Sequence, residues 1–178
     1  MTHFSLIPFP DNSPHPDIQI QGEIERVNQQ LQITFNLTGE LEKVAIASPV
    51  DVPTRLDELW QTTCFEFFLG LSGSSRYWEF NLSPAGHWNI YRFDNYRQGM
   101  TTETAYQALP FVVQHQSDCF GLILTLDLNP IITPEQELNV GITTVIESKN
   151  QTITYWALTH AAKEADFHQR ASFTIHLA

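Results

Sequence analysis

Along most of the chain apolar and polar residues alternate with a period close to two, which is how strands with one face on a core and one in water read. Leu31-Gln32-Ile33-Thr34-Phe35-Asn36-Leu37 sets Leu31, Ile33, Phe35 and Leu37 on one face. Tyr77-Trp78-Glu79-Phe80-Asn81-Leu82 sets Trp78, Phe80 and Leu82 against Tyr77, Glu79 and Asn81. The stretch Cys64-Phe65-Glu66-Phe67-Phe68-Leu69-Gly70 is apolar enough to predict a central strand. Further strands are predicted over 43–47, 87–93, 111–114, 120–128, 138–147, 152–158 and 173–177. Turn signals lie at Gly39-Glu40, Pro84-Ala85-Gly86, Ser117-Asp118-Cys119 and Lys149-Asn150-Gln151. Helix is expected only as short pieces near 54–60 and 134–137. Pro8, Pro10, Pro14 and Pro16 make residues 1–17 an extended arm lying on the domain. The expectation is an all-β fold, a two-sheet antiparallel β-sandwich of jelly-roll or immunoglobulin-like kind, with one domain over 1–178.

Composition adds that 42% of residues are hydrophobic and 12% aromatic, enough for a packed core of half-buried strands. Charge narrows the partners. Nine Lys and Arg stand against 20 Asp and Glu, for a net charge of −11, and the basic residues are scattered singly. Nucleic acid and anionic membrane surfaces both need clustered positive charge, so neither is an expected partner. A neutral small molecule such as a sugar remains open. No basic leader with a long apolar stretch opens the chain, and no apolar run approaches the roughly 18 residues that span a bilayer. The expected location is cytoplasmic. Cys64, inside a strand, reads as a buried free thiol.

No HExxH, His-x-His or CxxC is present, nor a nucleophile elbow or a Gly-rich loop with its Lys. No catalytic residue, metal site or cofactor is therefore expected. Glu66 and Glu79 sit mid-strand, opposite the Phe-rich faces. They read first as structure paired with Arg92, then as partners for ligand hydroxyls, and least as an acid–base pair. Trp78 belongs to the core with Phe80 and Leu82. Trp60, Trp88 and Trp156 are the aromatic surfaces on which a ring could stack, with Trp60 at the start of its strand and so at a rim.

Three segments carry a family resemblance. They are Leu59-Trp60-Gln61-Thr62-Thr63-Cys64-Phe65-Glu66-Phe67-Phe68, Tyr77 through Trp88 and Tyr155-Trp156-Ala157-Leu158-Thr159-His160, joined by Asp166-Phe167-His168. Together they resemble bacterial DOMON-like proteins, a superfamily related to the family-nine carbohydrate-binding modules. The resemblance covers residue 56 to the C-terminus and implies a β-sandwich that holds a sugar or haem on one sheet or at its edge. It also implies a clamp of two tryptophans, for which Trp60 and Trp156 are the best matches. The leading expectation is a non-catalytic binding domain for a carbohydrate or other small polar ligand. Its expected site is Trp60, Trp156, Glu66, Glu79, Asn81, Arg92 and His160. Two alternatives stand beside it. One is a cytoplasmic structural or protein-interaction domain. The other is a haem-binding redox domain with Met100 and a histidine as axial ligands.

Overall fold

The computed structural model describes residues 1–11 and 13–178. Its strands form two antiparallel sheets whose inner faces share one core. The first sheet holds β1 (Thr2–Ser5), β3 (Ile18–Val27), β4 (Gln30–Gly39), β10 (Cys119–Asp127) and β9 (Phe111–His115), in that spatial order. The second runs β2 (Ile7–Pro8), β12 (Ile153–Ala157), β11 (Leu138–Glu147), β5 (Cys64–Leu71), β6 (Tyr77–Leu82), β7 (Trp88–Phe93) and β8 (Thr101–Thr102). β13 (Ile175–Leu177) pairs with β11 beyond the end of β12. Strand content and the two-sheet antiparallel sandwich thus agree with the alternation in the sequence.

The alternation decides what fills the space between the sheets. Phe35, Phe65, Phe67, Phe80 and Phe120 are fully buried there, with Phe67 stacked on Phe80 at 4.3 Å and Phe65 on Phe120 at 5.2 Å. Such pairs add to the burial of their ring area.

β5, like its neighbour β6, is buried along its whole length. Its inner face meets the core, and its outer face is covered by the chain between β12 and β13. That segment lays Phe173 and Arg170 on the sheet, forming a second apolar cluster with Phe68, Tyr77, Tyr91 and Phe93. Two glycines make the bed. A Cβ at Gly141 would stand 2.7 Å from the Phe173 ring, and one at Gly70 would meet the Arg170 guanidinium. Arg170 donates to the carbonyls of Leu71 and Arg76, anchoring the segment to the β5–β6 turn. Gly141→Ala should destabilise the protein by about 1–3 kcal/mol, since a rigid ring must move. The denaturation midpoint reads this, and a midpoint unchanged from wild type would contradict the close packing.

Several local expectations are corrected. Residues 43–47 are not a strand. Leu41–Lys43 forms a 3-10 turn, after which Val44 bridges Ser148 and the Ala45 N–H reaches the Glu147 carbonyl. Helix near 54–60 shrinks to the 3-10 turn Leu59–Gln61, and 134–137 holds a turn closed by Gln136 N–H on the Thr133 carbonyl. The proline-rich arm contributes strands as well, since β1 joins the first sheet and β2 the second.

Candidate ligand-binding site

The outer face of the second sheet is not covered completely. A cavity of about 410 Å3 remains where the covering segment and the loop after β7 stand apart from the strands. Its floor is built by strand alternation: Glu66 and Phe68 from β5, Glu79 from β6, Phe93 from β7 and Val145 from β11. Its walls are Trp60 from the turn before β5, Tyr155 from β12, Arg97 and Met100 from the loop after β7, and Ala165, Phe167 and His168 from the covering segment. Trp60 is half-buried and meets Tyr91 edge-on at 5.6 Å, while Tyr155 meets Phe167 at 5.8 Å.

The floor carries two acids in a largely apolar setting. Glu66 is 2% exposed and Glu79 5%. Thr143 Oγ1 donates to Glu66 Oε2 at 3.1 Å, whereas Glu66 Oε1 is buried with no hydrogen-bond partner among the described residues. Asn81 Nδ2 donates to Glu79 Oε1 at 3.0 Å, and His168 Nε2 lies 3.8 Å from Glu79 Oε2. Burial pushes the Glu79 carboxyl up to about 7, against the opposing pull of Asn81 and Arg97. Burial raises Glu66 well above the carboxylate range, and the Glu79 charge raises it further.

Burial also takes His168 down to about 4, with the Arg97 charge pushing the same way, so the ring is neutral near pH 7 and its contact with Glu79 is not an ion pair there. Tyr77 Oη accepts the Arg97 N–H at 3.2 Å and lies 2.8 Å from His168 Nδ1. Burial pushes the Tyr77 phenol up to about 12, so it keeps its proton and can share a hydrogen bond with Nδ1.

Arg97 is held at the rim by Asp166, 2.8 Å away. Partial burial works against the Asp166 charge, but hydrogen bonds from Tyr96, Arg97, Gln169 and the His168 N–H together hold it down to about 2. Asp166 therefore ties the loop after β7 to the covering segment and fixes one wall.

Of the residues expected from sequence, the structure brings Trp60, Glu66 and Glu79 to this cavity. Asn81 is fully buried and acts through Glu79. Trp156 is corrected: it is 3% exposed in the inter-sheet core, with Nε1 donating to Thr154 Oγ1, and its neighbour Tyr155 faces the cavity. Arg92 shares the inner face with Trp78 and Ile90, so it cannot pair with Glu79 across the sheet. His160 bonds the Ile7 carbonyl and packs on Phe9 beside the N-terminal arm. Trp88 is core, under the Arg55 guanidinium. Tyr155, Phe167, His168 and Arg97 are the lining residues the pattern did not select. Phe167 and His168 lie in one of the segments that carry the resemblance, whereas Tyr155 shares its phase with Ile153 and Ala157 and gives no polar signal. Met100, expected with a histidine as axial ligand in the haem alternative, lines the same cavity as His168.

This architecture is a two-sheet antiparallel β-sandwich, and solved structures share it. Among solved structures, the chain is similar to a candidate carbohydrate-binding protein from Bacteroides uniformis, with a TM-score of 0.66 and 14% identity over 98% of this chain and 85% of that one. It is also similar to a family 9 carbohydrate-binding module from Caldicellulosiruptor kristjanssonii in complex with glucose, with a TM-score of 0.55 and 12% identity over 93% and 78% of the two chains. At these identities the likeness is one of fold. No protein-family model matches the sequence. No curated protein matches it at a significant level.

Proposed function

We propose that the protein is a non-catalytic binding domain for a carbohydrate, held in the cavity on the outer face of the second sheet. The observation that carries this reading is the lining itself. Trp60 and Tyr155 present aromatic rings at the walls of a cavity whose floor offers the carboxyl groups of Glu66 and Glu79. Sugars need that combination, an apolar ring for their C–H face and placed polar groups for their hydroxyls. The fold shared with sugar-binding modules supports the reading. A location in the cytoplasm and a DOMON-like ancestry belong to the same proposal.

A thermal-shift screen against monosaccharides and disaccharides tests it. A ligand present at about a hundred times its dissociation constant adds about 2.7 kcal/mol to a folded state that alone binds it, a rise of a few degrees for a domain of this size. The expected outcome is a shift with one sugar class, lost in Trp60→Ala, whose own unfolding stays cooperative. No shift with any sugar, or a shift that survives the substitution, would contradict the proposed site.

A further inference from the structure

The cavity floor holds two acids for which no cation among the described residues is free. Glu66 faces Asn81 across the β5–β6 pairing, and Phe68 faces Glu79, which makes the two acids diagonal neighbours on one sheet face. Diagonal positions lie about 7–8 Å apart at the backbone, so side chains from both can meet one small group. The groups facing them are Arg97, His168, Tyr77, Tyr155 and, behind Arg97, Asp166. The Arg97 guanidinium is matched by Asp166 at 2.8 Å. His168 and both tyrosines are neutral partners. Two carboxyl groups are thus left without a cation among the described residues, and Glu66 Oε1 is left without any donor.

We propose that the ligand of this cavity is an amino sugar, its protonated amino group seated over Glu66 and Glu79. The proposal rests on the carbohydrate reading above and names the sugar class. A neutral sugar hydroxyl brings one donor and no charge. An ammonium brings three donors and the charge that two buried carboxylates lack. Attraction between opposite charges is also several-fold stronger in a site screened from water. The aromatic rings of Trp60, Phe68, Phe93 and Phe167 favour a cation further, because their faces are electron-rich. Seating the ammonium favours one ionised carboxylate between the two acids, so binding releases a proton wherever the empty site holds both.

Titration calorimetry at pH 6 tests this with D-glucosamine, D-glucose, N-acetyl-D-glucosamine and ethanolamine as probes. The expected result is that glucosamine binds at least about tenfold more tightly than glucose or its N-acetyl derivative. Its apparent enthalpy should differ between buffers of different ionisation heat, reporting proton release. Glu66→Gln keeps the side-chain shape and should bring glucosamine and glucose to similar affinity, and Glu79→Gln gives the same readout should the first variant fold poorly. Glucose binding as tightly as glucosamine would overturn the amine proposal and leave the carbohydrate reading standing. Ethanolamine binding as tightly as glucosamine would overturn the carbohydrate reading and the proposal with it, as would no binding by any probe. A preference for glucosamine without proton release, or one unchanged in both variants, would place the amine elsewhere and overturn the proposal.

Discussion

Trp156→Ala should cost the protein about 3–5 kcal/mol of stability, the range for truncating a fully packed aromatic. The residue is 3% exposed, its indole N–H is satisfied by Thr154, and its ring meets His15 edge-on at 5.1 Å. The variant leaves a void and removes the donor that Thr154 Oγ1 accepts from. Tyr155→Ala, one position away, should behave in the opposite manner. Tyr155 is 38% exposed and lines the cavity, so its loss should cost less than about 1 kcal/mol of stability while weakening ligand binding. Denaturant unfolding and a binding titration on both variants check this. A stable Trp156→Ala that no longer binds would mean that β12 presents its other face.

Glu79→Gln should stabilise the protein at pH 8 and leave it unchanged near pH 4. In the folded protein the carboxyl releases its proton at about 7, against an ordinary value of 4.5. Between those values the folded state therefore binds more protons than the unfolded one, and stability falls as pH rises through that window. The gap corresponds to at most about 3.5 kcal/mol, since each unit is worth about 1.4 kcal/mol. Glutamine mimics the protonated side chain and escapes the loss. Urea unfolding of both proteins from pH 4 to 8 should give curves that meet at low pH and diverge upward. Parallel curves would show that Glu79 is not held in an apolar floor.

Much of the fold was legible because burial on one face forces alternation. The runs at Leu31 to Leu37 and Tyr77 to Leu82 could satisfy a core in only one phase, and they do. Ile18, Ile20 and Ile24 obey the same rule in β3. The segment 43–47 failed for a different reason. It looks like a strand, but only Val44 makes a ladder bridge, and the chain runs on past the end of β11. The site was less legible. Period two separates Tyr155 from Trp156 but does not say which is wet, and the larger aromatic belonged to the core. The cavity walls Arg97, Phe167 and His168 come from irregular chain. Their position depends on the Asp166 hydrogen bonds and on the glycine bed for Phe173, neither of which a local pattern displays.

Tryptophan fluorescence during sugar titration tests the central claim most directly. Trp78, Trp88 and Trp156 are buried, whereas Trp60 is half-buried at the cavity wall, so a ligand stacked there perturbs one fluorophore above all. The account predicts a saturable change in emission with a sugar, abolished in Trp60→Phe. Emission unmoved by every sugar, or an undiminished change in Trp60→Phe, would contradict it.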